Sequence, residues 1–111
     1  LRLYPKRHSH DFALMNDAQL AELAVALKDM LLRVKTVLRD ASYNFILHTS
    51  PPMHHRPGKP GHWSSLEYDF HWHIELVPRL TQLAGFEWGT GFFINPTSPE
   101  DAAGFLREAE I

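Results

Sequence analysis

Hydrophobic and polar positions divide the 111 residues into segments of different period. From Asn16 to Asp40, Leu20, Leu23, Leu27, Leu31, Val34 and Leu38 recur at steps of three and four. That spacing lines one face of a long α-helix. Asn16 and Gln19 can exchange hydrogen bonds across its first turn as a capping-box variant. Lys28, Arg33, Lys35 and Arg39 place positive charge toward its negative end. Tyr43 to His48 is rich in β-formers and reads as a buried strand. Thr49 to Gly61 holds Pro51, Pro52, Pro57 and Pro60 and reads as a loop.

Strict alternation runs from Glu67 to Val77 and reads as a strand. Tyr68, Phe70, Trp72, Ile74 and Leu76 point one way, and Glu67, Asp69, His71, His73 and Glu75 the other. Pro78 ends it. Gly85, Gly89 and Gly91 punctuate a segment leading to a short strand, Phe92 to Asn95. Ser98 then caps a last helix, with Pro99 in its first turn and Glu100 and Asp101 near its positive end. Ala102, Ala103, Phe105, Leu106 and Ala109 form its expected buried side. With a strand-like start at Leu1, Leu3 and Pro5, the pattern predicts one α+β domain over residues 1–111. Its antiparallel sheet is flanked by one long and one short helix.

Composition sharpens this picture at one point. The apolar fraction of 44%, the charged fraction of 22% and a net charge of −2 are ordinary for a globular chain. No basic block or apolar span favours nucleic acid or a membrane as partner. The absence of cysteine excludes disulfides and thiolate metal sites, and suits a reducing, cytoplasmic setting. Histidine is the exception: six of the eight lie between His48 and His73. Such clustering points to metal, phosphate or proton-transfer chemistry.

On the polar face of the 67–77 strand, His71, His73 and Glu75 stand as neighbouring nitrogen and oxygen donors. Two neighbours can converge on one ion, and a further ligand must come from elsewhere. His48, closing the preceding strand, can reach the same face. The candidate set is His48, His73 and Glu75, with His71 a further member; the alternative is a solvated strand rich in histidine. His54, His55 and His62, with Arg56 and Lys59, suit phosphate or plain solvation. Pro5-Lys6-Arg7-His8 is a similar basic turn. In Glu87-Trp88-Gly89-Thr90-Gly91-Phe92, glycines allow close approach of a ligand and aromatics allow stacking. Neither a G-x-S-x-G nor a P-loop motif occurs.

Four segments together resemble the C-terminal half of galactose-1-phosphate uridylyltransferase, of the histidine-triad-like superfamily. They are Pro5–His8, Tyr43–Pro51, His71–Pro78 and Gly85–Pro96, in order along nearly the whole chain. His71-Trp72-His73-Ile74-Glu75-Leu76-Val77-Pro78 looks like a degenerate histidine-triad strand with glutamate in place of the third histidine. The resemblance implies the C-terminal half of a two-domain, homodimeric nucleotidyltransferase of galactose metabolism. Such enzymes move uridylyl groups between UDP-glucose and a hexose 1-phosphate through a covalent uridylyl-histidine. The nucleophile's His-Pro-His-x-Gln motif is absent here, so no catalytic residue is expected in this chain.

The resemblance also implies a divalent metal, zinc or iron, on His48, His73 and Glu75, completed by a glutamate from the other half. It places Glu87, Thr90, Gly91, Phe92 and Asn95 against the sugar of the substrate, a UDP-hexose or hexose 1-phosphate. The same-fold alternatives are a sugar-nucleotide phosphorylase or adenylyltransferase acting on ADP-sugars or dinucleoside polyphosphates. A non-catalytic metal-binding module is the alternative of another class.

Overall fold

In the computed structural model, which describes residues 1–52 and 65–111, eight short and long elements follow one another. They are β1 (Arg2–Leu3), a 3₁₀ turn (Phe12–Leu14), α1 (Asp17–Val37), β2 (Tyr43–His48), α2 (Leu66–Asp69), β3 (His73–Pro78), α3 (Gly85–Thr90) and α4 (Pro99–Arg107). The three strands form an antiparallel sheet in the order β1-β3-β2. The chain divides into two compact units, Leu1–Leu23 with Asn44–Val77 and Ala24–Tyr43 with Pro78–Ile111. The expected α+β class, with its antiparallel sheet, is what the structure has.

In the first unit β3 is the middle strand, and its alternation is plain. Trp72, Ile74 and Leu76 are buried, whereas His71, His73 and Glu75 are half-exposed. Burying the apolar set on the sheet's dry side holds the strand in register, because a one-residue slip would turn every side chain over. Leu66 completes the buried set, and the ring of Phe12 meets Trp72 edge to face at 5.2 Å. Arg2 pairs with Glu75 and Leu3 with Ile74, which fixes β1 against β3. Leu1 N donates to Leu76 O at 3.1 Å, and Leu76 N donates to Leu1 O at 2.8 Å.

In the second unit α1 contributes the buried Met30 and Val34. Arg33 pairs with Asp29 one turn earlier at 2.9 Å and donates from Nη1 to Leu106 O at 3.0 Å and Arg107 O at 3.2 Å. A guanidinium thus satisfies two carbonyls at the C-terminal end of α4, which the helix itself leaves unpaired. At the other end of α4, Ser98 Oγ accepts from Asp101 N at 3.2 Å, with Pro99 at the first position. The reciprocal bonds of the expected capping box, Asn16 N to Gln19 Oε1 and Gln19 N to Asn16 Oδ1, open α1 at 3.0 and 2.9 Å.

Five expectations need correction. The strand expected over residues 67–77 begins only at His73; Leu66–Asp69 is a helical turn, and Tyr68 is exposed. Tyr43–His48 is a strand but not a buried one: it lies at the sheet edge with Tyr43, Phe45, Ile46 and Leu47 exposed. The glycine-punctuated segment is the helix α3, and Phe92–Asn95 is not a strand. The long helix stops at Val37, because Arg39 and Asp40 turn to positive φ of 53° and 63°. Phe105 of α4 is exposed where burial was expected. The expected loop of Thr49–Gly61, with His54, His55, Arg56 and Lys59, lies largely outside the described residues, and His62 lies outside them too.

Candidate functional site

The polar face of β3 gathers side chains from all three strands. Register places Arg2 opposite Glu75, and its Nε donates to Glu75 Oε1 at 3.1 Å. From β2, His48 Nε2 donates to the other oxygen, Oε2, at 3.2 Å. One step further along the same register Tyr4 faces His73, and their rings stack at 4.9 Å. On the other side of His73 the ring of His48 stacks at 4.5 Å, 19° from parallel. His73 Nδ1 donates to His71 O at 3.1 Å. A carbonyl can only accept, so the neutral imidazole carries its lone pair on Nε2.

His71 belongs to a second pair. Its Nε2 donates to Pro5 O at 2.8 Å, and His8 Nε2 donates to Glu67 O at 2.8 Å. Their two Nδ1 atoms then face each other at 3.3 Å. In the sequence His8 belongs to the basic turn Pro5-Lys6-Arg7-His8. The two histidines are far apart in sequence, and no local periodicity joins them.

Guanidinium and imidazole have opposite effects from burial on Glu75, and the first two win. The hydrogen bond from Arg2, then that from His48, hold its carboxyl below the usual glutamate range. A carboxyl depressed by folding contributes stability above its unfolded value of about 4.3, and that contribution is lost as pH falls through the lower folded value. Thermal midpoints followed from pH 7 to pH 3 are therefore expected to differ between wild type and Glu75→Gln at neutral pH. The difference should shrink in the acid part of the range.

Of the expected metal ligands, the structure brings His48, His73 and Glu75 together and turns His71 toward His8. As arranged, the first three do not fit an ion. Both Glu75 oxygens are engaged by cations or N–H donors, and two nearly parallel stacked rings keep their in-plane lone pairs in separate layers. Metal–nitrogen bonds of about 2.0–2.1 Å need lone pairs that converge. His8 and His71 fit better: about 3.3 Å is the edge of a tetrahedron with such bonds, and each far nitrogen is held by a carbonyl as metal-bound imidazoles are. Among the described residues no group of three or more His, Cys, Asp or Glu is arranged around an ion position.

The expected sugar-contact residues lie in the second unit, and their polar groups have local duties. Glu87 Oε2 accepts from Ala84 N at 3.0 Å, closing the start of α3. Thr90 Oγ1 donates to Phe86 O at 2.7 Å and accepts from Phe92 N at 3.2 Å. Gly91, at φ 74°, ends the helix in the left-handed conformation that favours glycine. Asn95 Oδ1 accepts from Thr97 N at 3.3 Å. What this segment leaves open is aromatic: Trp88 is 77% exposed, Phe92 72% and Phe93 82%.

Comparison with known proteins agrees with the fold. An ADP-glucose phosphorylase of Arabidopsis thaliana is 38% identical over 109 residues, covering 98% of this chain and 29% of its own. A galactose-1-phosphate uridylyltransferase of Thermotoga maritima is 32% identical over 117 residues, covering all of this chain and 34% of its own. By sequence and by fold the chain fits a galactose-1-phosphate uridylyltransferase C-terminal-like domain. The crystal structure of an Arabidopsis ADP-glucose phosphorylase with bound ADP-glucose superposes with a TM-score of 0.83 over 99% of the chain and 33% of its own. A GalT-like protein of the same plant gives 0.82 at 38% identity, over 99% of this chain and 34% of its own. No family model matches. The chain spans about a third of the length of the relatives it matches.

Among the described residues, no helix is long and apolar enough to cross a membrane.

Proposed function

We propose that this domain is part of an enzyme that transfers the nucleotidyl group of a sugar nucleotide, and that ADP-glucose is its donor in preference to UDP-hexose. The observation that carries the reading is the 38% identity to an ADP-glucose phosphorylase over 98% of the chain, against 32% to the uridylyltransferase. Glutamate at 75, in place of the third histidine of the triad strand, is a departure from the uridylyltransferase pattern. In this reading inorganic phosphate accepts the adenylyl group. The P–O bond to glucose 1-phosphate breaks, a bond to a histidine nitrogen outside this chain forms, and phosphate then displaces that nitrogen to give ADP. The exposed rings of Trp88, Phe92 and Phe93 offer flat surfaces for a sugar or base, or for a second protomer of a homodimer.

Product analysis of the complete protein tests this. With ADP-glucose and phosphate, glucose 1-phosphate and ADP should accumulate. With UDP-glucose and galactose 1-phosphate, exchange should be at least about tenfold slower, which corresponds to about 1.4 kcal/mol of discrimination. The reverse order of rates would favour the uridylyltransferase reading.

The divalent ion belongs, in this reading, on His8 and His71, where zinc or iron would clamp the β1 exit to the start of β3. His71→Ala and His8→Ala are each expected to lower zinc or iron bound per protomer. Metal analysis by inductively coupled plasma mass spectrometry reads this directly, and unchanged content would remove the ion from this pair.

A further inference from the structure

Removing the metal from His48, His73 and Glu75 leaves the question of what holds that cluster. Its positive charge is already present as a side chain. Register sets Arg2 directly across from Glu75, where opposite charges support a pair of strands, and Arg2 Nε lies 3.1 Å from Glu75 Oε1. A histidine at position 75 could offer that guanidinium no carboxylate. A glutamate there without Arg2 would leave an uncompensated negative charge. The two residues are matched to each other.

We propose that the Arg2 guanidinium takes the place at Glu75 that the family resemblance gives to a divalent ion, making Arg2 the positioning residue for His48 and His73. Both rings that flank His73 are tied back to it. Glu75, held by Arg2, accepts from His48 Nε2 at 3.2 Å and so fixes the ring on one side. Arg2 Nη1 reaches the hydroxyl of Tyr4 at 3.5 Å, and Tyr4 supplies the ring on the other side. Together with the bond from His73 Nδ1 to His71 O, this leaves Nε2 of His73 as a nitrogen of fixed direction. A divalent ion at Glu75 would have to share one carboxylate with a guanidinium, and the like charges repel. The inference does not depend on which sugar nucleotide the enzyme uses.

Crystals of the unmodified complete protein, measured at the zinc and iron absorption edges, give the first test. No anomalous peak is expected at bonding distance, about 2.0–2.2 Å, from the Glu75 carboxylate; a peak there overturns the proposal. The second test reads metal content in Glu75→Gln and His48→Ala, which should keep the wild-type value, whereas loss of one equivalent overturns it. The third separates positioning from plain structural support. In histidine-selective NMR spectra, Arg2→Met should shift the His48 and His73 ring signals and Arg2→Lys should largely keep them. Unmoved signals in Arg2→Met overturn the role of Arg2. Should a variant fail to fold, the anomalous map of the unmodified protein still decides.

Discussion

Trp72→Ala is expected to destabilise the protein by about 3–5 kcal/mol, the range for deleting a large buried aromatic side chain. Trp72 is 1% exposed, and its ring meets Phe12 edge to face, so truncation removes both burial and a favourable ring pair. It sits immediately before β3 and forms one backbone tie, Trp72 N to Ser9 O at 3.0 Å, that alanine keeps. The loss should therefore come from packing alone. Urea unfolding measures it: the midpoint should fall with little change in slope.

Leu76→Asp is expected to have the larger effect, preventing stable folding of the first unit, while Glu75→Gln next to it leaves the fold intact. Leu76 is fully buried at 0% exposure in the middle strand. An unpaired carboxylate there faces a desolvation cost comparable to the whole stability of a domain. Glu75 stands on the wet side of the same strand, where the single amide oxygen of glutamine can still accept from Arg2 or from His48, and no buried group is left unpaired. Circular dichroism and elution volume distinguish the two outcomes. Equal effects at 75 and 76 would contradict the two-sided character of β3.

That two-sided character was legible from the sequence because alternation of period two is a local property. It was legible only where the chain is a strand. Tyr68 and Phe70 continued the apolar alternation on paper, yet Tyr68 N and Asp69 N both donate to Ser65 O and wind that stretch into a turn. The start of α1 could be read because Asn16 and Gln19 cap it from three residues apart. Its end was misplaced because Arg39 and Asp40 take left-handed conformations that glycine would have advertised. Gly85, Gly89 and Gly91 read only as punctuation before a strand, while Glu87 at one end and Gly91 at the other close a short helix between them. On the site, strand logic set His48, His73 and Glu75 on one face, and β2 and β3 hold the three side by side there. The engagement of Glu75 by Arg2 and the pairing of His71 with His8 were not readable, since both depend on register between distant segments.

In the proposed reading the domain serves nucleotidyl transfer and the attacking histidine lies outside residues 1–111. Intact-mass spectrometry of the complete protein, after brief exposure to ADP-glucose without phosphate, tests this most directly. The account predicts a single adenylyl adduct, mapped by peptide sequencing to a histidine outside residues 1–111, and its loss on adding phosphate. An adduct carried by His73, or one formed only from UDP-glucose, would contradict it.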